Sequence, residues 1–203
     1  MEVLNLFPTE VFLFKNNTVD NDRLIAVLER LDNIEIKKTS TLSMIVDLRK
    51  YDEFKELFSW FDECLGSVKD HMKYDCDSLE ITSTWFNVAI SGYQMFQNVH
   101  RHSMSMWSAV YYLSEGSPTE FEDPVIHRTQ AQLEVLRFDY NPFYKINAEP
   151  GKLVIFPSWM YHSSLPHLGD KNRYIISFNS LPNGRINYNL ATDSKATVRI
   201  IND

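Results

Sequence analysis

The sequence predicts a mainly β protein with flanking helices, an α+β fold in a single domain. Three observations support this prediction. Two stretches of the N-terminal third carry apolar residues at helical spacing, and the chain from Leu79 onward becomes rich in β-branched and aromatic residues. The strand-like segments are short and closely spaced, which is typical of a sandwich or barrel. A chain of 203 residues is also of the size of one domain.

The N-terminal region, residues 1–78, is expected to support a β core from outside. Leu24, Val27, Leu28 and Leu31 recur three, four and seven residues apart after possible capping residues at 18–21, which predicts a helix over 22–31. A second stripe predicts a longer helix over 51–72, consisting of Phe54, Leu57, Phe58, Phe61 and Leu65. Both stripes indicate packing surfaces.

The β core is expected to occupy residues 79–182, followed by a C-terminal extension over 183–203. The predicted strands lie at 7–14, 79–90, 94–97, 109–113, 119–122, 132–138, 144–148, 153–156 and 172–179. The stretch between the last proline–glycine turn and His162 is continuously apolar over 153–156, which indicates a buried strand. That strand should deliver residues 158–162 to its end.

Composition argues against several classes of partner. The formal charge of −7, with no Lys/Arg run longer than two, argues against nucleic acid and anionic lipid. No apolar run approaches the roughly 20 residues that span a bilayer, and no secretory signal is visible, so we expect a cytoplasmic protein without a membrane partner. Cys64 and Cys76 are expected to be free thiols. A homodimer is compatible with the sequence.

A pair of histidines, His100 and His102, directly precedes one predicted strand. Alternate residues of an extended chain project to one side, so both imidazoles can point at one metal ion while Arg101 points away. Without further ligands the pair could equally be surface histidines. His162, at the end of the buried strand, is the third candidate ligand. Arg173 enters an apolar strand eleven residues later and would require an anionic partner there.

Four ordered motifs between Trp85 and Asn179 resemble the Fe(II)- and 2-oxoglutarate-dependent oxygenases, in particular a bacterial and phage branch of that superfamily. They are His-x-His leading into Ser-Ala-Val-Tyr-Tyr-Leu, then Phe-Glu-Asp-Pro, then Pro-Gly-Lys-Leu-Val-Ile-Phe-Pro-Ser-Trp-Met-Tyr-His, and finally Arg-Tyr-Ile-Ile-Ser-Phe-Asn. The resemblance implies a double-stranded β-helix, a jelly-roll or cupin-like core. It also implies Fe(II), 2-oxoglutarate as a small-molecule cosubstrate, O2, and hydroxylation of an unidentified substrate with release of succinate and CO2.

The resemblance also implies roles for particular residues. His100 and His162 would bind iron, and Arg173 would bind the distal carboxylate of 2-oxoglutarate. His102 stands where most members have a carboxylate, so the iron ligands would be three histidines, unless Glu122 or Asp123 supplies a carboxylate. The further cosubstrate contacts expected from the sequence are Asn87, Tyr93, Tyr111 and Ser177.

A second interpretation remains open because of His102: a three-histidine cupin-type protein that binds a metal without 2-oxoglutarate chemistry. A structural or interaction module without metal is a third. His167 and His127 are expected at the surface or behind the ligands, and His71 at the end of the long helix. Substrate specificity is expected to reside in the loops 114–118, 124–130 and 163–172.

Overall fold

A computed structural model of the chain describes residues 8–31, 42–45, 47–125, 142–191 and 193–201. For residues 42–45 it describes only the backbone. Two short 3-10 helices, Leu48–Lys50 and Asp52–Phe54, precede the longer helix. The other elements, in chain order, are β1 Phe12–Lys15, α1 Asn21–Arg30, β2 Leu42–Ile45, α2 Lys55–Met72, β3 Ser78–Ala89, β4 Gln97–His100, β5 Trp107–Tyr112, β6 Gly116–Glu122, β7 Phe143–Ala148, β8 Lys152–Pro157, β9 His162–Ser164, β10 Arg173–Ile186 and β11 Ala196–Val198.

Both predicted helices form, and each buries the stripe that predicts it. The Asp20 carboxylate caps α1 by accepting a hydrogen bond from the Arg23 N–H at 3.0 Å. The α2 helix ends at Lys73, which adopts the left-handed conformation at φ 54°. The stripe of α2 packs on the outer face of a sheet, where the Phe61 ring lies 5.0 Å from Phe178.

The strands β3 to β10 form a double-stranded β-helix from two antiparallel sheets. In the larger, 7-stranded sheet the order is β1-β8-β5-β10-β3-β2, with β11 paired to β10. In the smaller, 4-stranded sheet it is β4-β9-β6-β7. From β3 to β10 the chain changes sheet at every step except the hairpin from β6 to β7, which is jelly-roll order, so the two sheets face each other across an interior.

The larger sheet is buried on both faces, one against the helices and the other against the interior between the sheets. Successive side chains of each strand point to opposite faces. On β10, Ile176 and Phe178 pack toward the helices, whereas Ile175 and Ser177 face the interior between the sheets. The same alternation on β5 places Tyr111 against the helices and Tyr112 inside. On each strand, therefore, only every second residue can reach a site between the sheets.

Most predicted strands are present with shifted ends. The strand predicted at 94–97 lies at Gln97–His100, and the one predicted at 172–179 continues as far as Ile186, past the core boundary expected at 182. The short strands β2, β9 and β11 have no counterpart among the predictions. The predicted strand at 132–138 and His127 lie outside the described residues.

Within the described ranges, none of the helices combines the length and the apolar character needed to cross a membrane.

Candidate metal and cosubstrate site

Three imidazoles meet at one end of the interior between the sheets. His100 ends β4 and is paired in register with His162, the first residue of β9, while His102 follows two residues after β4. One ring nitrogen from each of the three lies within 4.8 Å of the other two. The Nε2 atoms of His102 and His162 are 3.3 Å apart. Strand pairing thus brings together residues that are 60 positions apart in the sequence.

The ring orientation of two of these histidines is fixed by main-chain carbonyls. His100 Nδ1 lies 2.7 Å from the Asn98 carbonyl oxygen, and His162 Nδ1 lies 3.0 Å from the Met160 carbonyl oxygen. A carbonyl oxygen only accepts, so each Nδ1 carries the hydrogen and each Nε2 keeps a free lone pair. That is the form of imidazole that binds a metal ion.

Burial keeps the two deeper imidazoles neutral. Desolvation, followed by the nearby His100, lowers the pKa of His162 from 6.5 to about 3. The same two causes lower the pKa of His102 to about 4. The ring of His162 is enclosed by Phe156 at 4.7 Å, and that of His102 lies 5.2 Å from Trp85. At neutral pH both lone pairs are available to a cation.

The convergent nitrogens suit a divalent first-row metal. Three neutral imidazoles are ligands for Fe, Zn, Cu or Ni, and they leave the remaining positions of a six-coordinate ion open. Among the described residues, the only His/Cys/Asp/Glu group able to hold an ion is this histidine triad. Glu122 and Asp123 are not part of it and do not line the cavity beside it, so they supply no carboxylate to the group.

Arg173 is the fully buried charge of the site. Its side chain is 1% exposed, and its Nε and Nη2 have no hydrogen-bond partner. Burial lowers the pKa of the guanidinium from its usual 12.5, an effect that the neighbouring Tyr112 opposes. The guanidinium lies 5.6 Å from the centre of the Tyr112 ring. The described residues contain no ion pair between Arg173 and Asp170, so the buried guanidinium keeps two hydrogen-bond donors that a ligand could use.

The stem of Arg173 passes through a gap that only glycine leaves open. A Cβ built on Gly116 would lie 2.8 Å from Arg173 Cδ. Gly116 also has φ +151°, a backbone conformation that other residues rarely adopt. The start of β6 therefore both makes room for the arginine and fixes the course of its side chain.

A cavity of about 360 Å³ joins Arg173 to the three histidines. Its volume is that of a small-molecule site. The wall combines apolar side chains such as Val110 and Ile175 with uncharged polar ones such as Asn87 and Ser177. Arg173 is the only Lys, Arg, Asp or Glu among the residues that line it.

The structure brings some of the predicted cosubstrate contacts together and leaves others apart. Asn87 and Ser177 line the cavity with the histidines and Arg173. Tyr111 points the other way, and its hydroxyl donates to Asn21 Oδ1 at 2.8 Å on the helical side of the sheet. Tyr93 is 43% exposed in a turn. His167, expected near the surface or behind the ligands, is in fact 2% exposed and away from the lining.

Two aromatic side chains at the site have no counterpart in the sequence analysis. Tyr112 lies beneath Arg173, and its hydroxyl donates to Thr119 Oγ1 at 2.6 Å. Trp85 lines the cavity beside His102. Tyr112 and Trp85 face the same side of the sheet as Arg173 and Asn87, whereas Tyr111 faces the other side. The sequence could not predict this, because it depends on how the strands pair.

Comparison with known proteins agrees with this geometry. Residues 83–179 match the sequence model of a family described as "Putative 2OG-Fe(II) oxygenase". This part of the chain is similar to the 2OG-Fe(II) oxygenase family. The matched range runs from β3 to β10 and contains all three histidines and Arg173. No curated protein matches the sequence.

Solved structures of 2OG oxygenases share the fold. A Pseudomonas putida prolyl-4-hydroxylase is 16% identical, with a TM-score of 0.59 over 87% of this chain and 94% of its own. HygX from Streptomyces hygroscopicus, solved with nickel and 2-oxoglutarate bound, is 13% identical, with a TM-score of 0.61 over 96% and 93%. The carbocyclase SnoK from nogalamycin biosynthesis is 11% identical, with a TM-score of 0.67 over 96% and 90%. The double-stranded β-helix predicted from the motifs is confirmed.

Proposed function

We propose that this protein is an Fe(II)- and 2-oxoglutarate-dependent dioxygenase that hydroxylates a C–H bond of its substrate. The observation that carries the proposal is the pairing of two features in one cavity. Three imidazoles converge at one place, and a buried guanidinium with unpaired hydrogen-bond donors lies elsewhere on the same wall. A metal chelator with a second, distant carboxylate satisfies both features, and 2-oxoglutarate has that chemistry.

In this proposal His100, His102 and His162 hold the iron. Burial disfavours the protonated forms of His102 and His162. At His100 and His162 the main-chain carbonyls hold a hydrogen on Nδ1, which directs Nε2 toward the metal. When bound, iron with 2-oxoglutarate and O2 supplies oxidative decarboxylation to succinate and CO2, coupled to oxidation of a substrate C–H bond. The protein supplies position and surroundings.

Arg173 binds the distal carboxylate of the cosubstrate. The two unpaired donors, Nε and Nη2, are the adjacent edge of the guanidinium that can engage both oxygens of one carboxylate. Tyr112 and Gly116 hold the guanidinium and its stem in place. Asn87 and Ser177 provide uncharged polar groups for the remaining cosubstrate oxygens, whereas Val110 and Ile175 exclude water.

The test is metal-dependent cosubstrate binding followed by turnover. The full-length protein, loaded anaerobically with Fe(II), is titrated with 2-oxoglutarate by calorimetry and then exposed to O2 while succinate is measured. We expect binding that requires the metal and Arg173, and slow succinate release that a true substrate accelerates. Succinate should be absent with the His162→Ala protein.

The same experiment distinguishes the oxygenase proposal from the three-histidine cupin interpretation. A cupin-type protein of that kind would bind the metal with unchanged affinity in the Arg173→Ala variant and would show no affinity for 2-oxoglutarate. Metal binding without cosubstrate binding in the wild type would therefore replace the oxygenase proposal by the cupin one. Failure to bind any divalent metal would exclude both.

A further inference from the structure

A chain of serine hydroxyls leads from the loop before β5 to the wall of the cavity. Ser105 Oγ lies 3.0 Å from the Trp107 carbonyl oxygen and 2.7 Å from Ser158 Oγ. Ser158 Oγ is 2.8 Å from Ser108 Oγ, which is 2.7 Å from the side-chain amide of Asn179. Ser108 and Ser158 are buried. The chain of hydroxyls ends at a residue that lines the cavity, Asn179.

The number of hydrogens in this chain fixes the direction of the Asn179 amide. The four contacts from the Trp107 carbonyl to the amide each require one hydrogen, and the three serine hydroxyls supply three. With the amide oxygen toward Ser108, one pair of oxygens would face each other without a hydrogen between them, because a carbonyl oxygen only accepts. With the amide nitrogen toward Ser108, Asn179 donates the fourth hydrogen. A half-turn of the amide exchanges the two atoms and satisfies every contact.

The amide oxygen of Asn179 then faces the cavity. In the paired strands Asn179 lies between Ser108 on β5 and Ser83 on β3, and Ser83 also lines the cavity. Among the described residues, Ser108 is the only hydrogen-bond partner of the amide. The oxygen is therefore an acceptor that a ligand can use.

Asn179 and Arg173 lie toward opposite ends of the cavity. Both face the interior along β10, and their separation of six residues corresponds to about 20 Å of extended strand. The metal group lies at a level between them, because His102 packs beside Trp85 and Trp85 is paired with Ser177. A cosubstrate that reaches from the metal to Arg173 therefore extends away from Asn179.

We infer that Asn179 binds the substrate, accepting a hydrogen bond from a neutral O–H or N–H group. The inference rests on the proposed function, because that proposal assigns the Arg173 side of the metal to 2-oxoglutarate. A charged group is disfavoured beside Asn179, since Arg173 is the only Lys, Arg, Asp or Glu among the described lining residues. The amide oxygen therefore selects and orients an alcohol or an amide N–H at the metal.

The first experiment reads the orientation of the amide in the metal-free full-length protein. The side-chain NH2 signals of Asn179 are assigned by their loss in the Asn179→Leu variant, and their contacts are measured in ¹⁵N-edited NOE spectra. We expect a strong NOE from one NH2 hydrogen to Ser108 Hβ and slow exchange of that hydrogen with water. Fast exchange without this NOE would place the nitrogen in the cavity and overturn the inference.

The second experiment measures selectivity with matched pairs of small probes. Protein loaded with Mn(II) and 2-oxoglutarate is titrated with cyclopentanol or cyclopentanone, and with pyrrolidinone or N-methylpyrrolidinone. Paramagnetic relaxation of each probe reports binding near the metal. In at least one pair, we expect the member with an O–H or N–H to bind about two- to tenfold more tightly, which is the effect of one neutral hydrogen bond. The first pair tests a hydroxyl and the second an amide.

Asn179→Leu should abolish this preference. The substitution leaves three hydroxyls with three contacts, so the serine chain keeps all its hydrogen bonds. The matched control is Asn147→Leu, at an exposed position of β7 outside the cavity lining, which should retain the preference. Circular dichroism checks the folding of both variants.

Two results of the probe experiment would overturn the inference. The first is equal binding, or no binding, of both members of both pairs to the wild type, and the second is a preference that survives Asn179→Leu. Failure of the wild type to bind Mn(II) or 2-oxoglutarate would reject the proposed function, and with it the assignment of a substrate to Asn179. That failure is distinguishable because it is seen before any probe is added.

Discussion

Replacing Arg173 by methionine should stabilise the ligand-free protein and weaken its affinity for 2-oxoglutarate. We expect effects of opposite sign because, in the proposed site, the arginine binds a ligand and does not stabilise the fold. Its side chain is 1% exposed, and Nε and Nη2 have no hydrogen-bond partner. A buried charge without a partner destabilises the folded state, so an apolar side chain of similar length removes that cost.

The magnitude follows from burial and from the missing partners. Exchanging buried ionic groups for apolar ones of similar volume has raised stability by about 1–4 kcal/mol in other proteins. For a chain of this length that corresponds to a rise in Tm of roughly 2–4 °C per kcal/mol. Loss of the charged hydrogen bonds to a carboxylate, each about 1.5–3 kcal/mol, should lower 2-oxoglutarate affinity at least about tenfold.

The assay combines calorimetric unfolding of the metal-free protein with titration of the Mn(II)-loaded protein by 2-oxoglutarate. Arg185→Met is the matched control, since Arg185 is an exposed arginine that stacks on Tyr188 at 5.9 Å. Its removal should change stability by no more than about 0.5 kcal/mol and leave cosubstrate affinity unchanged.

A fall in Tm for Arg173→Met together with unchanged 2-oxoglutarate affinity would refute the reasoning. That result would mean that the guanidinium stabilises the fold through partners of its own, such as an acidic residue paired with it in solution. A fall in both Tm and affinity would leave the ligand role intact but refute the unpaired charge.

Three further predictions concern other buried groups. Because folding lowers the pKa of His162 from 6.5 to about 3, the unfolded chain binds the proton first, and the contribution of His162 to the metal-free free energy of unfolding should fall by about 1–2 kcal/mol between pH 6.5 and 5. His102, whose pKa is lowered to about 4, should add a loss of similar size, so urea titrations should give a flatter pH profile for His162→Gln than for the wild type. Gly116→Ala should displace Arg173 and weaken 2-oxoglutarate binding without changing metal affinity. The control is Gly66→Ala in α2, where an added Cβ meets no atom within 4 Å; thermal unfolding should show a slightly more stable protein. Burial raises the pKa of Cys64 to about 12, so its thiol should react with a disulfide reagent at pH 8 only after unfolding; rapid labelling of the native protein would contradict its burial.

The sequence pattern predicts an element of this protein well where residues close together in the chain determine that element. The stripes of α1 and α2, the cap at Asp20 and the buried strand β8 all follow from spacing and side-chain type. The short strands β9 and β11, with 3 residues each, give no local signal of that kind. They become strands by pairing with β4, β6 and β10.

The sequence by itself determined the fold class, the motif order and four residues of the candidate site, His100, His102, His162 and Arg173. It could do so because each stands out locally. His100 and His102 are paired histidines before a strand, His162 follows a continuously apolar stretch, and Arg173 is a charge that enters an apolar strand. The tertiary structure alone decided which neighbours join them. Sheet pairing sets the face of every strand, so Tyr112 and Trp85 reach the cavity while Tyr111 packs against the helices. It also decided that Nε and Nη2 of Arg173 lack a hydrogen-bond partner, because that depends on contacts between residues distant in the chain.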